Sequence, residues 1–347
     1  MWSTIMRGMK GFVISLSFAV CVATAGGCVS APCIVGVDRQ AVLRFGVPFG
    51  ECREIIEHVD ADGSWISLTH TDSRGLVLSE RDQSGRVLRT TVLPTRFHGW
   101  FDRDKSTLSP NRSHFAYRDD TGQVQWLDLK NGNMRTLLTT DKSCYVQKVA
   151  FITNQSLVAI VYDLESKSTK VIFLDEAGLS NVLYKSSGNI DHLTAVPSLG
   201  MLSFVEAYTP QAPKVWLWNM TKNHLRPVLA IPNGICTGTA ISPDGNLICI
   251  LLWNGPETIV ILVNLASGKD KVLFSLKHED EYWRSPGFIG QDAIALVRST
   301  YRESGKRPNN LEIYDLRTGA LLISRRFWNI GLLHSNHDGS CILMQVN

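Results

Sequence analysis

Residues 240–251 read Ala-Ile-Ser-Pro-Asp-Gly-Asn-Leu-Ile-Cys-Ile-Leu. Pro243 fixes φ, Asp244 can bond its own backbone, and Gly245 accepts a positive φ, so the first half predicts a tight turn. The apolar, β-branched run that follows is typical of a strand, and the whole stretch therefore predicts a β-hairpin.

The same kind of turn recurs along the chain, with successive copies 43 to 49 residues apart. The copies are Asp62-Gly63, Asn111-Arg112, Asn154-Gln155, Leu199-Gly200, Asp244-Gly245, Gly290-Gln291 and Asp338-Gly339. A second turn lies in the other half of each repeat, most clearly at 128–132, 264–268 and 315–319, and more weakly at 82–85, 175–178 and 219–223. Each repeat thus contains two hairpins, or four short strands.

Four-stranded repeats of this length are typical of β-propeller blades. We predict an all-β fold, a β-propeller of four-stranded antiparallel blades. The repeat count favours seven blades and leaves six or eight open. The last repeat has room for only one hairpin, and residues 37–40 resemble the second turn. We therefore expect N- and C-terminal strands to share one blade, which would close the ring without bare strand edges.

Residues 107–111 and 240–245 resemble the S-P-D-G repeat of the TolB-like propellers, relatives of the WD40-like propellers. The resemblance implies a periplasmic scaffold that binds other proteins of the cell envelope and has no catalytic residues. TolB itself has six blades, so the repeat count departs from that pattern.

The N-terminus has the pattern of an export signal, with Arg7 and Lys10 before a short apolar segment at 12–25. Residues 25–28, Ala-Gly-Gly-Cys, resemble the lipobox of bacterial lipoproteins. We predict a signal peptide at 1–27, a single propeller domain at 28–347 and lipidation of Cys28. The protein would then be held to a membrane in the periplasm or at the cell surface. The alternative is plain secretion, with cleavage after Ala25.

Removal of residues 1–27 leaves 33 basic and 32 acidic residues. A nearly neutral chain without a basic stripe argues against a nucleic-acid partner. Cys33, Cys52, Cys144, Cys236, Cys249 and Cys341 follow Cys28, and their spacing leaves any disulfide pairing open.

The sequence contains no convincing catalytic or metal-binding motif. G-x-S-x-G, the nucleophile motif of α/β-hydrolases, is absent. Asp60 to Gly63 lacks the later ligands of a calcium loop, and His334 with His337 lacks further zinc ligands. Asp315 to Gly319 resembles a repeat of quinone-dependent dehydrogenases but is also a common propeller turn. We therefore expect no enzyme, no cofactor and no metal.

Blade-to-blade links carry aromatic residues with charges beside them. Aromatic residues with arginine are typical of interface anchors, although packing between blades needs large residues too. The candidate binding residues are Trp100, Asp102, Arg103, Tyr145, Trp283, Arg284, Tyr301, Arg302 and Trp328.

Two functions remain open. The first is a non-enzymatic, monomeric scaffold that binds envelope proteins. The alternative is a secreted enzyme or carbohydrate binder that uses the central channel. Innermost segments such as 148–151 and 237–241 are mainly apolar or small, which favours the scaffold.

Overall fold

The structure, a computed structural model, describes the backbone of most of the chain after the N-terminal segment. The described residues are 33–37, 43–48, 54–59, 64–71, 75–82, 86–92, 106–119, 121–207, 212–231, 234–277, 281–300, 308–328, 330–335 and 342–346. Cys28 and the signal segment lie outside them.

Six sheets are each built from four consecutive strands in antiparallel order. The strands, in chain order, are β3 (Glu54–Val59), β4 (Trp65–Thr71), β5 (Gly75–Arg81) and β6 (Val87–Val92); β7 (Ser106–Leu108), β8 (His114–Arg118), β9 (Val124–Asp128) and β10 (Met134–Leu138); β11 (Cys144–Phe151), β12 (Ser156–Asp163), β13 (Ser168–Asp175) and β14 (Ser180–Ser186); β15 (Asn189–Val196), β16 (Met201–Ala207), β17 (Lys214–Asn219) and β18 (His224–Ala230); β19 (Ile235–Ile241), β20 (Leu247–Trp253), β21 (Glu257–Asn264) and β22 (Asp270–Lys277); β23 (Glu281–Ile289), β24 (Ala293–Thr300), β25 (Pro308–Asp315) and β26 (Leu321–Trp328).

A further four-stranded sheet joins the two ends of the chain, in the order β2-β1-β28-β27. Its strands are β1 (Cys33–Val37), β2 (Leu43–Pro48), β27 (Ile330–Ser335) and β28 (Ile342–Val346). In the antiparallel β1–β28 pair, Cys33 lies opposite Val346. The all-β propeller architecture is confirmed, whereas closure into a ring with a fixed number of blades stays a prediction.

The second strand of a blade is apolar on both faces. In β12 six consecutive residues are buried, and in β20 five are. One face of β12 packs with the β7–β10 sheet and the other with the β15–β18 sheet. Outer strands are more exposed, as in β22 and β14. Because both faces of a blade must be covered, each sheet needs a neighbour on either side.

The first strands of the sheets contact one another in succession from β3 through β7, β11, β15, β19 and β23 to β27, and they line the channel. Turns between first and second strands and between third and fourth strands lie on one end of the propeller, which we call the turn face. Blade-to-blade links and second-to-third links lie on the other end, which we call the link face.

The turn face is held by side chains that bond their own backbone. Ser242 Oγ donates to Asp244 Oδ1 at 2.6 Å and accepts from the Leu247 amide at 2.9 Å. In the second kind of turn, the hydroxyl and the amide of Thr318 donate to Asp315, which lowers the pKa of that carboxyl group. Gly245 and Gly319 take positive φ values of 71° and 74°. The predicted turns are therefore structural elements.

Proline at Met344 should unfold the protein far more readily than proline at Leu88. Met344 lies between Val35 of β1 and Leu333 of β27, so its strand is paired on both sides. A proline there removes a donor from an interior strand, at about 3 kcal/mol or more. Leu88 lies on the outer strand β6 and is 53% exposed. Urea unfolding of both variants measures the difference, and equal losses would contradict the pairing of the two ends.

Candidate functional site

The first strands share a break in their pairing near the link face. Register breaks occur in β3, β11, β15, β19, β23 and β27, between Ile56 and His58, Val146 and Lys148, Asp191 and Thr194, Cys236 and Gly238, Arg284 and Gly287, and Ile330 and Leu333. A β-bulge leaves a residue unpaired and re-aims its side chain, and bulges are frequent beside active sites. The breaks therefore place residues that lie outside the regular strand pairing at a similar height around the channel.

Two neighbouring bulges are joined by a chain of amides that ends at a carboxylate. Gln147 Nε2 donates to Asn189 Oδ1 at 3.2 Å, and Asn189 Nδ2 donates to both oxygens of Asp191 at 3.2 Å. Gln147 Oε1 is buried and accepts no hydrogen bond. A buried acceptor without a donor is costly, and a hydroxyl or amide donor that reached this atom would remove that cost.

Threonine side chains continue the lateral bonding around the channel. Thr194 Oγ1 lies 3.1 Å from Thr239 Oγ1, and Thr239 Oγ1 donates to the His192 carbonyl at 3.3 Å. Thr237 Oγ1 donates to the Trp283 carbonyl at 3.3 Å. A Cβ atom at Gly238 would approach Pro286 Cδ to 2.6 Å. The first strands are thus held close together by direct bonds and close packing, which fixes the positions of the bulges.

Two of the bulges have an unusual backbone conformation. His192 and Ser285 both take a φ of 50°. A positive φ costs energy in any residue other than glycine, and residues of this kind cluster at ligand sites. Both residues are half-buried.

Charged groups of both signs lie at the same level. Arg284 Nε donates to Ser299 Oγ at 2.9 Å, and burial lowers the pKa of Arg284. Arg118 Nη1 donates to the Val146 carbonyl at 2.9 Å and so supports the bulge in β11. Burial, with a smaller contribution from the charge of Asp191, raises the pKa of the Cys236 thiol to about 12.

We call Gln147, Asn189, Asp191, His192 and Arg284 the channel belt. Its members lie on the first strands β11, β15 and β23, at or beside the register breaks, and supply amide donors and acceptors, one carboxylate, one imidazole and one guanidinium group. A site of this kind can bind a ligand rich in hydroxyl or carboxyl groups. Asp191 and His192 are groups of the kind that transfer protons in enzymes.

From the sequence we expect mainly apolar or small residues on the innermost strands. This expectation is wrong for the residues at the register breaks. It rested on residues 148–151 and 237–241, and it missed Asn189, Asp191 and His192. The signal was present as the polar stretch at 189–192, directly before an apolar end of the same strand. Its position on an innermost strand follows only once the repeat boundaries are known.

Within the described ranges, no three His, Cys, Asp or Glu side chains form a group that could hold a metal ion. The same part of the chain contains no helix long and apolar enough to span a membrane.

The candidate binding residues fall into three groups. Trp100, Asp102, Arg103, Tyr301 and Arg302 lie outside the described residues, as does the side chain of Trp328. Tyr145 is half-buried at the link face and lies 5.5 Å from the ring of Tyr162. Arg284 belongs to the channel belt. A binding role for these residues stays a prediction.

For Trp283 the sequence leaves binding and packing between blades open, and in the structure its side chain is only 2% exposed. Its ring packs edge-on against Phe274 of the preceding sheet, at 5.2 Å between centroids. Its Nε1 donates to the buried Glu312 at 2.8 Å, and Tyr314 and Arg298 donate to the same carboxylate. Trp283 therefore packs between blades, the second of the two roles that the sequence leaves open.

No known protein family matches the chain, and no curated protein matches it in sequence. Solved structures do match its fold. An oligogalacturonate lyase in complex with manganese is 14% identical with a TM-score of 0.60, and the match covers 84% of this chain and 90% of that chain. An oligogalacturonate lyase from Vibrio parahaemolyticus is 12% identical with a TM-score of 0.60, with coverage of 93% and 98%. TolB from Acinetobacter baumannii is 13% identical with a TM-score of 0.46, with coverage of 99% and 70%.

The likeness to the two lyase structures corrects one expectation. The sequence contains no motif that reveals an enzyme, and from this we expect none. Yet the structures with TM-scores of 0.60 are enzymes of the same propeller fold. The exclusion of an enzyme is therefore wrong, since the absence of a familiar motif says little about a site assembled from several blades. At these identities the likeness shows the fold alone.

We expect Trp283→Ala to lower the free energy of unfolding by about 3–5 kcal/mol, because it leaves a large cavity between two blades. Trp283→Phe keeps a ring against Phe274 but removes the Nε1 donor to Glu312, and should cost about 1–2 kcal/mol. Denaturant titration of the two variants and the wild type gives both values. Unchanged stability of Trp283→Ala would show that this residue is not part of the packing between blades.

Proposed function

We propose that this chain is an exported protein of the cell envelope that binds an oligosaccharide at the channel belt. The observation that carries the proposal is the polar chain from Gln147 through Asn189 to Asp191, with the buried Gln147 Oε1 left without a donor. Sugars present many hydroxyl groups, each of which can donate and accept. Amide and carboxylate groups at neighbouring bulges are suited to such ligands.

The ligand to test first is an oligosaccharide of uronic acids. Oligogalacturonate lyases have a similar fold, and their substrate supplies both hydroxyl and carboxylate groups. In this chain Arg284 is the described cation of the belt, and guanidinium groups bind carboxylates through two parallel hydrogen bonds. The described part of the belt does not provide a manganese site, so no step through a metal is proposed.

Turnover of such a ligand would depend on proton transfer by this chain's own residues. A lyase removes the proton from the carbon beside the carboxylate and breaks the bond between the next carbon and the glycosidic oxygen, which leaves a carbon–carbon double bond. The expelled oxygen takes a proton. Asp191 and His192 are adjacent in the chain and lie at one bulge. They are the residues that we propose for these two transfers, with Arg284 as the group that holds the substrate carboxylate.

A second candidate function is binding of an envelope protein through the link face. Tyr145 and Tyr162 form a pair of half-buried rings at that face, one from β11 and one from β12. Tyrosine is a frequent anchor of protein interfaces because it presents a large surface with few rotatable bonds. One variant distinguishes the two functions. Tyr145→Ala should weaken binding of the envelope protein and leave oligosaccharide binding unchanged.

Export and lipid anchoring belong to the same proposal. The residues before Cys28 fit a lipoprotein signal, and a lipid at Cys28 would hold the propeller at a membrane surface. The ring closed by both chain ends, with seven blades, would then present one face to the envelope space.

Asp191→Asn should weaken oligogalacturonate binding by at least about tenfold, since hydrogen bonds to a charged group contribute about 1.5–3 kcal/mol. The fold should remain, because asparagine keeps an acceptor for Asn189. Asp141→Asn removes the same charge from an exposed link and serves as the control. Calorimetric titration with oligogalacturonate and with a neutral oligosaccharide measures affinity. Absence of saccharide binding by the wild type would exclude the proposed ligand class.

Cys28→Ser should move the protein from the membrane fraction to the soluble fraction of cells that make the full chain. The thiol of Cys28 is the group to which the proposed lipid would be attached, whereas serine leaves the signal otherwise intact. Immunoblots of the two fractions check the result, with Cys33→Ser as the matched control. Retention of Cys28→Ser in the membrane would mean that the N-terminal segment itself is the anchor.

A further inference from the structure

A second polar site lies away from the channel, between the outer parts of the β11–β14 and β15–β18 sheets. Its centre is the carboxylate of Glu206, which is 8% exposed. Tyr184 and Ser186 donate their hydroxyl groups to it at 2.8 Å and 2.7 Å, and Trp216 donates Nε1 at 3.2 Å. Burial, together with the hydrogen bond to Glu206, raises the pKa of Tyr184. Three neutral donors thus hold one buried acid.

The β23–β26 sheet contains a comparable cluster that differs in one respect. There Glu312 accepts from Trp283 and Tyr314, and Arg298 also forms an ion pair with it at 3.2 Å. Glu206 and Arg298 occupy equivalent positions on the second strands of their sheets. Glu206 pairs with Lys214, five residues before the end of β17, and Arg298 pairs with Asn310, five residues before the end of β25.

No cation among the described residues is paired with Glu206. Lys214 faces it across the strand pair, but within the described part of the chain no Lys, Arg or His forms an ion pair with Glu206. A buried charge without an opposite charge is costly. A cation from outside the protein would reduce that cost.

The side chains over Glu206 are suited to such a cation. The rings of Tyr184 and Trp216 are half-buried and contact each other, with centroids 4.7 Å apart and planes at 45°. Both also pack against Phe204, so a cation would lie on the exposed side of the pair. Cations are attracted to the faces of aromatic rings, most strongly to that of tryptophan. The same chain already places the Arg135 guanidinium 5.5 Å from the ring centre of Trp126. No described residue places a cation on Trp216 in this way.

The hydrogen bonds of Glu206 indicate which cation would fit. Both of its oxygens already accept from protein donors. A primary ammonium group brings three N–H donors that need acceptors, whereas a quaternary ammonium group brings none and needs only ring faces and a nearby negative charge. We propose that Tyr184, Trp216 and Glu206 form a binding site for a quaternary ammonium group of the choline type. The proposal does not depend on the function of the channel belt.

The direct test compares choline with 3,3-dimethylbutan-1-ol, its uncharged isostere, by calorimetric titration of the wild-type protein. We expect saturable binding of choline and affinity for the isostere lower by about tenfold or more, as a cation–π contribution would give. Equal affinities would show a merely apolar pocket and would overturn the proposal, as would no binding of choline. This comparison requires no variant and cannot be lost to misfolding.

Variants then locate the site. Glu206→Gln keeps the size and an acceptor but removes the charge, and should lower choline affinity about tenfold. Glu165→Gln removes an exposed charge from the link face of the neighbouring sheet and should change nothing. Undiminished choline affinity in folded Glu206→Gln would contradict the assignment. Vesicles of phosphatidylcholine, compared with phosphatidylglycerol, show whether the group is also recognised on a lipid or only as a free ion.

Discussion

The fold depends on strands that are apolar on both faces. A sheet such as β19–β22 carries buried aliphatic side chains on either side, and one cluster packs it against the sheet before it while another packs it against the sheet after it. Burial of apolar area is the dominant stabilising contribution to a fold, and a sheet of this kind cannot obtain it from one neighbour. The radial arrangement of sheets follows from that need, and the channel follows from the arrangement.

This constraint also explains where polar chemistry is tolerated. The second and third strands are covered on both sides, so most of their residues are aliphatic. The pairing breaks instead at the two edges of the sheets, in the first strands beside the channel and between the third and fourth strands at the rim. The bulges at Gln147 and His192 therefore carry groups that a central strand could not hold. Polar residues between blades, such as Glu206 and Glu312, occur instead with full sets of donors.

The sequence predicts the fold well because turns are local. A turn can be recognised from its residue types alone, as at Ser242 to Gly245 and Asp315 to Gly319. The regular spacing of such turns gives the four-stranded repeat. The channel belt could not be predicted from local turn residues, because Gln147 and Asn189 lie 42 residues apart and meet only when neighbouring blades pack. The burial of Trp283 was equally hidden, since an aromatic residue near a link has the same sequence pattern whether it packs or binds.

Amide hydrogen exchange, measured with and without oligogalacturonate, tests the central claim that the channel belt is the working surface. The account predicts slower exchange in the link-face halves of β11 and β15, at residues 146–148 and 189–194, and unchanged exchange in the turns at 242–247 and 315–320. These segments have different peptides, so the readout does not depend on a substitution or on turnover. Protection confined to the turn face, or no protection at saturating ligand, would contradict the account.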